Sequence, residues 1–99
     1  MTRWVAIFED KPETDWIRKD HSQEHFDYLA EHSDKILIGG GLRPNSGEWF
    51  CGGLWVLEVA SREEAVALCE DDPYFHLGLR RSYRLCVWGK ALPDRSVRL

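Results

Sequence analysis

Cysteine is scarce in this sequence of 99 residues: Cys51, Cys69 and Cys86 are odd in number and lie 17 or 18 positions apart. That spacing excludes both a disulfide framework and a zinc knuckle, and buried free thiols are expected. No stretch approaches the roughly 18 consecutive apolar residues of a membrane-spanning helix. The N-terminus lacks a basic segment followed by an apolar one, so no signal peptide is expected and the chain reads as soluble and cytoplasmic. Repeats, linkers and low-complexity segments are missing too. The triple glycine Gly39-Gly40-Gly41 has neither the lysine nor the spacing of a phosphate loop, and no serine or cysteine stands in a nucleophile elbow.

What is present is a globular composition, 43% hydrophobic and 30% charged, with five tryptophans. A chain of this length forms one domain that buries about 65% of its unfolded surface. The expected core spans about residues 3–89, with a polar tail over 90–99. The net charge is −4, but residues 80–99 carry six basic side chains against one acidic. Arg80, Arg81, Arg84, Lys90, Arg95 and Arg98 are therefore expected to form a solvated basic edge. Overall acidity argues against nucleic acid as a partner, and nothing suggests a membrane.

Arg3-Trp4-Val5-Ala6-Ile7-Phe8 reads as a first strand stopped by Glu9-Asp10-Lys11-Pro12. Trp4, Ala6 and Phe8 share one face and Val5 and Ile7 the other, and both faces are apolar. A helical pattern follows from Thr14, a candidate N-cap, to about Ser33. Asp20 with Gln23 leaves open one bent helix or two pieces. Lys35-Ile36-Leu37-Ile38 is a brief strand running into the glycines, expected to pair as an antiparallel hairpin with a strand from about Trp49 to Val59. Ser61 and Glu64 have the capping-box spacing that opens a second helix. Ser82–Trp88 closes the series as a last strand. The order βαββαβ is the ferredoxin-like arrangement: an α+β fold with a four-stranded antiparallel sheet and two helices on one face. Two helices leave the other apolar face uncovered, so a homodimer packed sheet to sheet is expected, a ligand cavity being the alternative cover.

The stretch Glu70-Asp71-Asp72-Pro73-Tyr74-Phe75-His76-Leu77-Gly78 holds the chemistry. Proline fixes its own φ and drives Asp72 into an extended corner, which aims the carboxylate. Asp72 before Pro73 is also a favoured helix start, closed by Gly78, and a capping carboxylate still has a second oxygen to offer. His21-Ser22-Gln23-Glu24-His25 reads H-x-x-E-H, a spacing that can place two imidazoles on one metal ion. Three fixed positions arise easily in a histidine-rich helix, so no metal is assigned and a zinc site at His21 and His25 stays a minor alternative. A histidine with a carboxylate is the more economical constellation, because the acid holds the tautomer while the free nitrogen moves a proton. The glycines either bring backbone N–H groups to an anion or mark a strand end or bulge.

Phe8-Glu9-Asp10-Lys11-Pro12, Arg18, His25-Phe26-Asp27-Tyr28-Leu29, Gly39-Gly40-Gly41-Leu42, Gly53-Leu54-Trp55-Val56-Leu57-Glu58, Asp72-Pro73-Tyr74, Gly78-Leu79 and Trp88 together resemble the YCII-related family over about residues 3–89. The resemblance implies a dimeric α/β barrel, similar in shape to muconolactone isomerase, with His25 and Asp72 as the active-site pair. Where many members carry an arginine three residues before the histidine, this chain has Ser22; the arginine seven before is kept as Arg18. One type of member is similar to a dehydrochlorinase acting on a chlorinated hydroxyquinol. The expectation is thus a small cytoplasmic enzyme of lyase or isomerase type, transferring protons without a cofactor on a small acid or phenol. His25 is its base or acid and Asp72 orients it; Arg18, Gly40, Tyr74 and Phe75 bind substrate. The alternative is a non-catalytic small-ligand-binding domain.

Overall fold

A computed structural model describes all residues from Met1 to Leu99. The elements are β1 (Thr2–Asp10), α1 (Asp15–Glu31), β2 (Ile36–Leu42), β3 (Gly52–Val59), α2 (Arg62–Glu70), α3 (Pro73–His76) and β4 (Arg80–Val87). The strands form one antiparallel sheet in the order β2-β3-β1-β4, as the ferredoxin-like reading requires. The short α3, between α2 and β4, is the helical turn expected from Pro73, and it stands beside the two longer helices of the βαββαβ order.

Alternation along the strands sets the core. Trp4, Ala6 and Phe8 of β1 face the helices beside Trp55, Leu57 and Val59 of β3. Ala65, Leu68 and Cys69 of α2 close over them, with Tyr28 and Leu29 of α1 at the margin. The Tyr28 hydroxyl donates to the Leu68 carbonyl at 2.6 Å, tying α1 to α2. A smaller cluster, Ile17, Tyr74 and Leu79, joins α1 to the α3 corner.

Local chemistry explains the helix ends. Glu64 N–H donates to Ser61 Oγ at 3.2 Å, and Ala60 N–H donates to Glu64 Oε2 at 3.3 Å, so the capping box opens α2. Tyr74 N–H donates to Asp72 Oδ1 at 3.3 Å, and Gly78 at φ 88° closes α3 in the left-handed region. Thr14 does precede α1, but its hydroxyl donates back to the Lys11 carbonyl and caps nothing. The α1 helix runs unbroken past Asp20.

Two strands depart from simple alternation. On β2, Ile36 and Ile38 face Leu57 and Val56, so Leu37 is an extra residue that turns Ile38 outward and Gly39 and Gly41 inward. The glycines are thus inside the strand, after a bulge. On β4, Ser82 and Arg80 face Glu9 and Asp10, which makes Arg81 the extra residue. Arg80 is consequently buried, a correction to the solvated basic edge. Cys51 and Cys86 correct another expectation: both are exposed, and of the thiols only Cys69 is buried. The sheet face away from the helices is only partly covered: Val5, Ile7, Leu54 and Val56 are half-buried and Leu37, Ile38 and Cys86 exposed.

Candidate functional site

The corner predicted at Asp72 and the α1 helix meet. His25 Nδ1 lies 2.8 Å from Asp72 Oδ1, although 47 residues separate them, and the side chains are 9% and 1% exposed. A carboxylate only accepts, so Nδ1 carries the proton and Nε2 holds the lone pair of the neutral ring. Asp72 Oδ1 therefore accepts twice, from the imidazole and from the Tyr74 amide that starts α3. Tyr74 stacks flat on the imidazole, the centroids 3.9 Å apart and the planes 10° from parallel. Burial, more than the neighbouring charges, raises the Tyr74 pKa and keeps its hydroxyl protonated.

Charge alternates outward from this pair. Arg80 Nη2 stands 4.0 Å from Asp72 Oδ2, an ion contact without a hydrogen bond. Arg80 Nη1 donates to Asp10 Oδ1 at 2.9 Å, and Arg18 donates to Asp10 Oδ2 through Nε at 3.1 Å and Nη2 at 3.0 Å. Arg18 Nη2 also donates to the Gly52 carbonyl at 2.8 Å. Burial lowers the Arg80 pKa, while Asp10 and Asp72 hold it up. The Arg80 guanidinium sits 4.3 Å from the Phe8 ring centroid, and that of Arg18 sits 4.5 Å from the Phe50 centroid.

A cavity of about 400 Å³ opens beside these groups, lined by Arg18, Ser22, His25, Phe26, Leu29, Gly39–Gly41, Trp49, Phe50, Tyr74 and Arg80. Its aromatic walls and few convergent polar groups suit a small planar molecule. The glycines make the room: a Cβ on Gly41 would stand 2.4 Å from Phe50 Cε1, and one on Gly39 2.9 Å from Trp55 Cδ1. A wider apolar hollow of about 790 Å³ lies between the uncovered sheet face and the C-terminal tail. Its lining has no histidine and no acidic side chain.

Of the residues singled out from sequence, His25, Asp72, Arg18, Gly40 and Tyr74 are assembled here. Phe75 is not: its ring meets the edge of Tyr83 at 6.1 Å, outside the cavity lining. His21 is also apart, its Nδ1 2.7 Å from Glu24 Oε1, and no group of three or more potential ligands converges on a metal position. Sequence reasoning missed Asp10, Arg80, Trp49 and Phe50. For Asp10 a signal existed, since it continues the inward row Trp4, Ala6, Phe8; for Arg80 the bulge at Arg81 hid it.

A family model described as YCII-related domain matches residues 2–89. Among solved structures, the chain is similar to the 5-chloro-2-hydroxyhydroquinone dehydrochlorinase of Burkholderia phenoliruptrix AC1100, in complex with 2,5-dihydroxybenzoquinone. The identity is 25% over 88% of this chain and 93% of that one, with a TM-score of 0.79. No curated protein matches.

Proposed function

The chain belongs to the YCII-related domain family, and on that premise we propose that it is an enzyme moving protons on a small phenol or enol, with His25 as the base and Asp72 as its orienting acid. The observation that carries this is the buried 2.8 Å contact between His25 Nδ1 and Asp72 Oδ1 at the wall of a cavity. With Nδ1–H held by the carboxylate, Nε2 is the nitrogen left to accept a hydroxyl proton. Asp72 stabilises the imidazolium that forms, and Tyr74 fixes the ring plane. Arg18 and the backbone of Gly40 line the space the substrate would fill.

Such a base interconverts enol and keto forms by carrying a proton between oxygen and carbon. Where the carbon bears chlorine, removal of a second hydroxyl proton expels chloride, so the net change is loss of HCl. The similarity to the dehydrochlorinase supports that reaction class. Three thiols without a disulfide support a cytoplasmic setting, and no helix is long and apolar enough to cross a membrane. The half-covered apolar sheet face supports a homodimer.

The test is chloride release from 5-chloro-2-hydroxyhydroquinone, followed for the wild type and for His25→Asn. Wild-type turnover is expected, with a loss of about 10²- to 10⁴-fold in the variant. Equal rates for the two proteins would overturn His25 as the base. Binding of 2,5-dihydroxybenzoquinone without turnover of any phenol or enol in a wider screen would make the chain a binding domain.

A further inference from the structure

We propose that Arg80 is a positioning residue that keeps the His25–Asp72 pair in the form in which the imidazole is neutral and the carboxylate ionised. The inference rests on the reading of His25 as a base and adds a group that acts through Asp72. Arg80 is 2% exposed in its side chain, lines the same cavity as His25, and is the cation beside Asp72 Oδ2. That oxygen is fully buried and accepts no hydrogen bond from any protein group. The guanidinium is therefore the charge that balances the side of the carboxylate turned away from the imidazole.

The titratable groups around the pair come from α1 (Arg18, Tyr28), β1 (Asp10), α2 (Cys69), the α3 corner (Tyr74 beside Asp72) and β4 (Arg80), and burial holds the Cys69 thiol and the Tyr28 phenol uncharged. With Tyr74 protonated, two arginines and two aspartates leave the cluster neutral while the imidazole is neutral. Take away Arg80 and the same cluster carries −1, which an imidazolium would cancel. The buried pair would then bind its next proton more tightly, whichever of the two groups carries it.

The experiment titrates the four histidines of the whole protein by NMR, with His25 assigned by its loss in His25→Asn. Arg80→Gln should raise the proton affinity of the pair tenfold or more, a shift of the midpoint upward by roughly one pH unit. Arg80→Lys should return the midpoint toward wild type, and Asp10→Asn should move it downward. A folded Arg80→Gln protein whose midpoint stays put or falls would overturn the proposal. Should that variant not fold, Asp10→Asn decides, an unchanged or raised midpoint overturning it. The readout needs no substrate, so its failure leaves the proposed reaction standing, and an inactive wild type leaves this result standing.

Discussion

At the scale of the residue, Asp72 does two jobs through one atom. Its Oδ1 accepts both from the Tyr74 amide and from His25 Nδ1. Asp72→Ala should lose a helix cap worth about 1 kcal/mol and leave a buried imidazole N–H without an acceptor, about 1–3 kcal/mol more. Asp72→Asn keeps an oxygen for both donors and should unfold at a urea concentration between wild type and alanine, yet share the alanine variant's loss of turnover. Equal stability of the two variants would show that the cap and the imidazole contact carry little. The sequence made this pair half legible. The Asp72-Pro73 corner follows from proline sterics, so the carboxylate could be aimed before any fold was known. That it meets His25 depends on α1 packing against α3, which no local pattern encodes. Cys69 is a second residue-scale case: burial pushes its thiol up to about 12, so in native protein at pH 8 it should resist a thiol reagent that labels Cys51.

At the scale of the element, the two bulges decide which side chains reach the cavity. Element types and order were readable, because β1, β3 and β4 alternate, a capping box opens α2 and α1 is free of internal Gly and Pro although its Thr14 caps nothing. The bulges were not: an extra residue leaves alternation intact on each side of it and only exchanges the faces. Alternation carried down β4 from Leu85 and Tyr83 points Arg81 inward; the structure puts Arg80 there. Where β3 begins, Gly52 is required by close approach, since a Cβ would lie 2.1 Å from the Phe8 carbonyl oxygen. Gly52→Ala must part β1 from β3 at that end and shift the carbonyl that Arg18 holds. A loss of about 1–3 kcal/mol is expected, measured by thermal or urea unfolding. The entry to α2 offers a pH test. A hydrogen bond from Lys35 lowers the Glu64 pKa below its ordinary 4.5, and the same bond raises that of Lys35. The stabilisation from Glu64 is therefore present above pH 4.5 and is lost as pH falls through the lowered value. The share from Lys35 is lost as pH rises through its raised one. Wild type and Glu64→Gln should differ in unfolding midpoint near pH 7, and the difference should shrink in acid.

At the scale of the whole molecule, the sheet has one face packed by helices and one that the single chain leaves half open. Val5, Ile7, Leu54 and Val56 project from its centre, with Ile38 beside Val56 on β2 and Cys86 beside Val5 on β4. Specific interfaces bury about 800 Å² per partner, so the half-buried central side chains would form the middle of such an interface and its rim would have to come from the surrounding strands and the tail. A second copy laid on it would cover the apolar row by symmetry, each patch meeting itself. Cys86 turns this into a chemical reading. It is exposed in the single chain, so a monomer should label quickly at both Cys51 and Cys86. A dimer packed sheet to sheet should label quickly at Cys51 alone. Val56→Glu places a charge in the middle of the patch without touching the helix-facing core. It should halve the mass seen by sedimentation, leave the helical circular dichroism unchanged and release Cys86 to fast labelling. Were wild type to sediment as a monomer with both thiols fast, the pairing of sheets would be wrong. The cavity beside His25 would survive that outcome, because Arg18, His25, Tyr74 and Arg80 all reach it from one chain.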